Sequence, residues 1–244
     1  MTQPLLEVAG LCKRFGGVRA VDECSFTVEQ GSVTALIGPN GSGKTTVFNL
    51  ITGYMPADAG TVMFAGRSIT GLDAGRLYRR GLSRTFQQAR VFLELTVQEN
   101  LVVAGGAGWP ALFGRRLSNT DRRRAADLLD EFRLSTVADL LASELSWGQR
   151  KLLEFAAVLM SEPRLVLLDE PTAGVNPILT ETMEAHIRTR HAAGVTFLIV
   201  EHDMRFVMQV CDPVIVLDAG RAIASGPPER VQADPRVLDA YLGG

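Results

Sequence analysis

An eight-residue segment, Gly38–Thr45, limits the possible folds more than any other part of the chain, because its sequence GPNGSGKT matches the pattern G-x-x-x-x-G-K-[ST] at every fixed position. Residues 33–37, directly before it, are apolar or β-branched, as a buried parallel strand requires. Residues 46–51, directly after it, can continue as a helix. A strand, a glycine-rich loop and a helix in this order are typical of a phosphate-binding loop in an α/β protein.

The residue types in this segment suit a ligand that carries several negative charges. Glycines let the backbone approach closely, and consecutive amide groups followed by a helix N-terminus form a concave anion site. We expect Lys44 to contact the β and γ phosphates of a nucleotide, and the Thr45 hydroxyl to bind Mg²⁺. The expected contacts in this region are Gly38, Pro39, Asn40, Gly41, Ser42, Gly43, Lys44, Thr45 and Thr46. A glycine-rich turn that contains lysine by chance is the alternative, and the flanking strand and helix disfavour it.

The composition excludes several other classes of protein. The 244 residues, 46% hydrophobic and 21% charged, suffice for one large domain or one domain with an inserted lobe. A net charge of −2 gives no overall basic field, so we expect no nucleic-acid partner. The three cysteines form no C-x-x-C pair, which argues against a disulfide framework or a zinc site and favours the reducing cytosol. No long apolar run and no signal-peptide pattern is present, so we expect a chain that does not span a membrane by itself.

Changes in hydrophobic periodicity divide the chain into parts. Short apolar runs between glycine-containing turns over residues 5–64 predict antiparallel strands that flank the phosphate-binding loop. Apolar spacing of about 3.6 residues at 125–132 and 149–160 predicts helices. A later helix over 179–192 and a hairpin of residues 214–217 and 221–224 are also predicted. We therefore expect a single domain with a core of residues 1–89 and 162–244 and a helical lobe of about 90–161.

Two further apolar runs end in charged residues. Residues 165–168 are followed by Asp169 and Glu170, and residues 195–200 are followed by Glu201 and His202. Ligands of parallel α/β sheets lie beyond the carboxyl ends of strands, so we expect these side chains at the same rim as the phosphate-binding loop. Asp169 would hold Mg²⁺ through its waters, and Glu170 would orient and polarise an attacking water.

His202 is a candidate for contact with the γ phosphate or the attacking water. A histidine in such a place is, taken alone, more often a core or rim residue than a catalytic one. Its position directly after an apolar strand favours the functional interpretation.

The segment Leu145–Gln149 (LSWGQ) precedes an apolar helix over residues 150–160. Ser146 is a favourable N-cap and Gly148 permits close backbone approach, so this is a second helix start able to bind an anion. Taken alone, the pentapeptide is better explained as the start of an ordinary capped helix.

The phosphate-binding loop, the segment Leu145–Gln149 and residues 165–170, in this order, resemble the ATP-binding-cassette (ABC) ATPases, whose signature most commonly reads LSGGQ. The resemblance covers essentially the whole chain. It implies a P-loop NTPase of the ABC-ATPase type, α/β, with an antiparallel β subdomain and an inserted helical subdomain. It also implies ATP and Mg²⁺ as cofactors, Phe15 stacked on the adenine, Gln87 as a catalytic residue that senses Mg²⁺ and the γ phosphate, and His202 as the switch histidine.

The resemblance further implies that two cassettes close head to tail. Ser146, Gly148 and Gln149 of one cassette would then contact the ATP that is bound to the loop of the other. A single loop leaves one side of the γ phosphate facing water, and a capped helix start from a partner supplies donors there. The implied partner is a second ABC ATPase subunit, identical or paralogous.

Two residues depart from the commonest pattern of the family. Trp147 replaces the usual glycine of the signature, and Asn176 replaces the common aspartate of the segment that contacts the partner cassette. Both changes resemble branched-chain amino-acid importers. Further short similarities to that branch are Phe15–Gly17, Thr96–Leu101, Glu201–Met204 and Asp234–Gly243. The resemblance therefore favours the ATPase subunit of such an importer, and cassettes for urea or lipopolysaccharide, which share several of these segments, are the alternatives.

Transport needs a spanning path, so the resemblance implies a separate transmembrane permease and, indirectly, an external solute-binding protein. The chain would be peripheral, at the cytoplasmic face of the plasma membrane, and soluble when isolated. Val91–Leu95 (VFLEL) is either the surface that docks the permease or core of the helical lobe.

Two other classes of function compete with transport. A soluble cassette ATPase acting on ribosomes or DNA usually has paired cassettes or a long coiled-coil insertion, for which the span between Lys44 and Ser146 is too short. A GTPase or small-molecule kinase is disfavoured because the sequence has no Asn-Lys-x-Asp guanine-reading motif.

Overall fold

A computed structural model describes residues 4–86, 90–107 and 119–242. Its strands are β1 Leu6–Phe15, β2 Val18–Val28, β3 Val33–Ile37, β4 Ala59–Phe64, β5 Arg67–Ser68, β6 Leu82–Arg84, β7 Leu165–Asp169, β8 Thr196–Val200, β9 Val214–Asp218 and β10 Arg221–Gly226. Its α-helices are α1 Lys44–Ile51, α2 Ala74–Tyr78, α3 Val97–Val102, α4 Asn119–Glu131, α5 Trp147–Leu159, α6 Pro177–Ala192, α7 Met204–Val210, α8 Pro228–Gln232 and α9 Pro235–Leu242. Within these ranges, none of the helices combines the length and the apolar character that crossing a bilayer requires.

The strands form two sheets. One is antiparallel, with the order β2-β1-β4-β5, and the other has the order β10-β9-β3-β8-β7-β6. In the second sheet only β10 runs antiparallel to its neighbour, and the other strands are parallel. The predicted fold class, the predicted hairpin near the C-terminus and the antiparallel strands beside the phosphate-binding loop are therefore confirmed.

The first two strands are longer than the apolar runs that predicted them. Their pairing shifts register between Val8 and Leu11, where Gly10 has a φ of 57°. Such a bulge interrupts the alternation of buried and exposed side chains, so a period-two pattern detects only part of the strand.

The centre of the parallel sheet fixes the geometry of the site. Every residue of β3, β7 and β8 is buried, which explains why these strands are apolar or β-branched throughout, except for Asp169 at the end of β7. Val200 at the end of β8 pairs with Leu36 of β3 on one side and Asp169 of β7 on the other. The carboxyl ends of three neighbouring strands therefore lie side by side at one edge.

The described part of residues 90–161 is mostly helical, as predicted, and its β structure is limited to an isolated bridge between Thr96 and Leu141. Phe155 of α5 packs edge-on against Phe132, with ring centroids 5.4 Å apart, and against Phe197 of β8, with centroids 6.4 Å apart. One hydrophobic cluster thus runs from the helices to the sheet. The boundary between a core and an inserted lobe stays a prediction.

Candidate active site

The phosphate-binding loop depends on glycine at two close approaches of the backbone. A Cβ atom on Gly38 would lie 2.1 Å from the carbonyl oxygen of Leu217, and one on Gly43 would lie 2.4 Å from that of Ala20. Both glycines have positive φ angles, 151° and 101°. Strands β9 and β2 therefore clamp the loop from two sides, which only glycine permits.

The loop passes directly into helix α1. Gly43 is the N-cap residue, so no side chain of its own covers the amide groups of the first turn. Val47 and Phe48 are fully buried and fix the helix beneath the loop, whereas Thr45 is exposed at its start. Free amide groups, a helix N-terminus and an accessible hydroxyl fit a phosphate group with an associated Mg²⁺ ion.

Lys44 lies folded over the loop that precedes it. Its Nζ donates to the carbonyl oxygens of Gly38 at 2.8 Å and Pro39 at 2.9 Å. Burial lowers the pKa of Lys44, and the carboxylates of Glu170 and Asp169 oppose this effect. The same ammonium group is therefore close enough to the two carboxylates to interact with them and is held where an anion would enter the loop.

Asp169 at the end of β7 forms a buried ion pair with Arg84, whose Nη2 lies 2.6 Å from Oδ2 of the aspartate. The guanidinium also donates through Nη1 to Asn49 at 2.7 Å and to Thr52 at 3.0 Å, both near the end of α1. Arg84 thus connects the aspartate to the helix that begins at Lys44. Arg84 was not predicted from the sequence. Its position three residues before Gln87, a predicted site residue, could have indicated it.

Glu170 follows at the point where the chain leaves β7. Its φ is 48°, in the left-handed region that non-glycine residues seldom adopt. Its amide donates to the carbonyl oxygen of Val200 at 2.9 Å, and its own carbonyl accepts from Nζ of Lys151 at 3.4 Å. Backbone strain of about 1–3 kcal/mol persists only where neighbours fix it, and such positions are frequent at active sites.

Lys151, on helix α5, is buried beneath the site and was not identified from the sequence. Its Nζ lies 5.0 Å from the ring centroid of Trp147. Burial lowers the pKa of Lys151, and four carboxylates act in the opposite direction, those of Glu154, Glu201, Asp169 and Glu170. The buried charges around the ends of β7 and β8 therefore include positive as well as negative groups.

His202 lies after β8, which is the strand between β3 and β7. The phosphate-binding loop follows β3 and Glu170 follows β7, so His202 is flanked by the loop on one side and by Glu170 on the other. Its side chain is 64% exposed, which leaves it accessible to a ligand. Glu201, the residue before it, is buried and was named in the sequence only as the preceding residue.

The segment Leu145–Gln149 forms the predicted helix start. The Ser146 hydroxyl accepts from the Gln149 amide at 3.3 Å, and Oε1 of Gln149 accepts from the Ser146 amide at 2.9 Å, which is a capping box. Trp147 is 44% exposed and approaches Gly174, and a Cβ atom on Gly148 would lie 2.7 Å from the Leu179 side chain. These neighbours lie outside the phosphate-binding loop of the same chain.

Asn176 caps helix α6, since its side chain accepts from the amide of Leu179 at 2.9 Å and Pro177 follows as the first helical residue. Asparagine and aspartate are about equally good at this position. The departure from the common aspartate therefore preserves the local structure.

Phe15 lies at the end of β1 and is 47% exposed. The hairpin of β1 and β2 also abuts the loop, because Ala20 of β2 lies against Gly43. An exposed aromatic ring at this location suits stacking on a base.

Gln87 lies outside the described residues, but the residues on both sides of it are held by one carboxylate. Oε1 of Glu154 accepts from the amide of Phe86 at 3.0 Å and from that of Arg90 at 3.2 Å. Burial raises the pKa of Glu154 to about 7. Helix α5, which begins at the capped segment, therefore contacts Phe86 and Arg90.

The assembled edge combines an anion-binding loop, two carboxylates at a neighbouring strand end and an accessible histidine between them. This set can bind a Mg²⁺-nucleotide and orient a water for attack on its terminal phosphate. Thr45 and Asp169 supply oxygen atoms of the kind that Mg²⁺ prefers.

The chain is similar in sequence to known proteins over its whole length. The family model described as ABC transporter matches residues 21–173, and that described as branched-chain amino acid ATP-binding cassette transporter matches residues 223–244. The high-affinity branched-chain amino acid transport ATP-binding protein BraF of Pseudomonas aeruginosa is 41% identical, over 100% of this chain and 99% of its own length. The corresponding protein LivG of Escherichia coli strain K12 is 39% identical, with the same coverage.

Solved structures agree with this comparison. The ADP conformation of MJ1267, an ATP-binding cassette of an ABC transporter, is 36% identical, with a TM-score of 0.88 and full coverage of both chains. A dimeric post-hydrolysis state of the cassette MJ0796 is 23% identical, with a TM-score of 0.78 over 91% of this chain and 98% of that chain, and has the same fold. The resemblance inferred from the motifs is confirmed, and the chain belongs to the ABC transporter family as an ATP-hydrolysing cassette.

Proposed function

We propose that this chain is the ATPase subunit of an importer for branched-chain amino acids. The observation that carries the proposal is the shared edge of β3, β8 and β7, which brings the loop, His202 and the Asp169-Glu170 pair together. The cargo is proposed from the names of the relatives BraF and LivG, which are described as branched-chain amino acid transport ATP-binding proteins. It is also supported by the match of residues 223–244 to that group of cassettes.

In the proposed mechanism ATP binds with its phosphates in the loop and its adenine on Phe15. Thr45, Asp169 and Gln87 would hold Mg²⁺, which when bound offsets the negative charge on the phosphates. Arg84 binds one oxygen of Asp169 and so leaves the other for the ion or its waters. Glu170 orients the attacking water, and His202 contacts the γ phosphate.

The pocket is completed by a second cassette, identical or paralogous. Ser146, Gly148 and Gln149 of that cassette contact the ATP from the open side. The capping box and the packing of Trp147 already fix this helix start in one chain, so little ordering is required when the two cassettes close. Closure with ATP and release after hydrolysis then drive the transport cycle.

The proposed docking surface for the transmembrane permease is an apolar patch at the edge of the helical region. Phe92 is 47% exposed, Leu93 44%, Leu140 42% and Leu141 38%. The two segments are paired, since the amide of Ser143 donates to the Leu93 carbonyl at 3.1 Å. This exposure favours docking over the alternative that Phe92 and Leu93 belong to the core.

Through this permease the chain would be peripheral at the cytoplasmic face of the membrane. An external solute-binding protein would deliver the cargo. The test is to purify the tagged chain with its membrane partners from the source organism and to measure uptake of labelled leucine in cells with the native chain or Glu170→Gln. We expect a permease to co-purify and the variant to abolish leucine uptake. Normal leucine uptake together with loss of urea uptake would overturn the cargo, and co-purification with ribosomes in place of a permease would overturn transport.

A further inference from the structure

A buried carboxylate joins the two segments that follow β7 and β8. Glu201 is 1% exposed, and each of its side-chain oxygens serves a different segment. Oε1 accepts from the amide of Thr172 at 2.9 Å and from its hydroxyl at 2.6 Å. Oε2 accepts from the amides of His202 at 2.9 Å and Asp203 at 3.3 Å.

Four donors around one carboxylate explain how it can be buried. A carboxylate removed from water is strongly destabilised unless hydrogen bonds or nearby positive charge replace its hydration. The donors of Thr172, His202 and Asp203 supply these hydrogen bonds, and the buried ammonium of Lys151 interacts with Glu201 as well. The arrangement is therefore satisfied only when both segments are in place.

The two segments carry the proposed hydrolytic residues. Thr172 is two residues after Glu170. The backbone of Glu170 is strained, and its amide donates a hydrogen bond to the carbonyl oxygen of Val200. The backbone amide of His202 donates a hydrogen bond to Glu201. The Asp203 side chain caps helix α7 by accepting a hydrogen bond from the Arg205 amide at 2.9 Å. A single rigid carboxylate thus fixes the distance between the turn after Glu170 and the turn that contains His202.

We propose that Glu201 is a positioning residue for ATP hydrolysis. It holds the turn that contains Thr172 and the turn that contains His202 in a fixed relative position, so that Glu170 and His202 act on the same water and phosphate. This inference rests on the roles of Glu170 and His202 in the proposed function.

Glu201→Gln is the decisive substitution, because it preserves size but replaces one acceptor oxygen by an amide group. That group faces backbone N–H donors on whichever side it lies, so one of the two segments loses its attachment. We expect kcat for ATP to fall by up to about 100-fold, because the reacting groups are misplaced. The dissociation constant for ATP should change less than about threefold, because the phosphate-binding loop is untouched.

Glu184→Gln is the matched control. Glu184 is also a buried glutamate, 7% exposed, but its carboxylate pairs with Arg188 on helix α6 and not with the strand-end turns. We expect this variant to keep the native kcat. Thermal melting of both variants shows whether any loss of turnover follows from unfolding.

A double-mutant cycle with His202→Ala separates positioning from general structural support. If Glu201 acts through His202, Glu201→Gln causes little further loss of kcat in the His202→Ala background. If the two substitutions reduce kcat by factors that multiply in the double variant, the proposal is overturned. It is also overturned if His202→Ala abolishes turnover but the folded Glu201→Gln variant keeps the native kcat. Native turnover in His202→Ala would refute the role of His202 in the proposed function and therefore also the positioning role of Glu201. The hydrolytic role of Glu170 is tested separately by Glu170→Gln.

Thr172→Val keeps the proposal testable if Glu201→Gln does not fold. Valine removes only the hydroxyl donor at 2.6 Å and retains the shape of threonine. We expect a loss in kcat of about threefold to tenfold that again disappears in the His202→Ala background. An unchanged kcat, or a loss that persists in that background, would overturn the proposal.

Discussion

Arg84 and Asp169 form an ion pair in which both side chains are almost fully buried, 5% and 4% exposed. The two residues are 85 positions apart in the chain. Their contact joins the strand end that carries the proposed Mg²⁺ ligand to the segment that leads to Gln87. One oxygen of the aspartate is thereby fixed, which orients the other.

Removal of Arg84 should destabilise the protein strongly. In Arg84→Met the carboxylate of Asp169 remains buried without this partner, and breaking such a pair from one side costs about 3–5 kcal/mol. We expect a decrease of that size in the free energy of unfolding, measured by urea denaturation. Arg236→Met is the control, because its pair with Asp234 lies on the surface and the arginine side chain is 68% exposed. Equal effects of the two substitutions would contradict our interpretation.

Gly43→Ala should weaken nucleotide binding. The added Cβ would lie 2.4 Å from the Ala20 carbonyl oxygen, and a φ of 101° is unfavourable for alanine, so the loop must move. We expect ATP affinity, measured by isothermal titration calorimetry, to fall at least about tenfold, or roughly 1.4 kcal/mol. A Cβ on Gly17 would meet no atom within 4 Å, so Gly17→Ala should bind ATP normally.

Glu170→Gln should separate binding from hydrolysis. The variant retains the loop and Lys44 but loses the carboxylate that orients water, so kcat should fall about 10²–10⁴-fold while ATP still binds. Light scattering with ATP should then show a persistent dimer. Lys44→Ala should instead weaken binding itself, because it removes a charge used in both the ground state and the transition state. Native turnover in Glu170→Gln would refute the assigned role.

Glu154 should make stability depend on pH. Burial raises its pKa from 4.5 to about 7, so the folded state retains a proton that the unfolded state releases. Its stabilising contribution is present in full below about pH 4.5 and is lost as the pH rises through 7. Glu154→Gln keeps an oxygen for Phe86 and Arg90 without the charge. The stability of this variant relative to the native chain should therefore increase from pH 5 to pH 8, by up to roughly 3 kcal/mol. A constant difference in urea denaturation across this range would contradict the assignment.

Phe92→Asp should impair transport without impairing the enzyme. Because the ring is 47% exposed, the substitution should leave the melting temperature and the ATP turnover of the isolated chain nearly unchanged. Uptake of labelled leucine in cells should be lost if the permease docks there. Met208→Asp, on helix α7 and 39% exposed, is the control and should retain uptake. Insoluble Phe92→Asp protein would instead assign the residue to the core.

Short stretches of sequence were sufficient to predict the local features of this protein. The phosphate-binding loop, the buried strands before Asp169 and His202, and the cap at Ser146 each follow from residue types within a few positions of one another. Glycine requirements, hydrophobic periodicity and capping are local effects, so a short window of sequence contains them. The very short strands and helices, such as Leu82–Arg84 and Ala74–Tyr78, offer too few residues for any period to be recognised.

Contacts between polar groups that are distant in the sequence depend on the folded arrangement of the chain. Arg84 and Asp169, and Thr172 and Glu201, are 85 and 29 positions apart. Whether Phe92 faces solvent was likewise left open by the sequence, because an apolar residue suits a core and a docking surface equally. Burial and long-range hydrogen bonding depend on how the strands are ordered in the sheet, and no local pattern of side chains specifies that order.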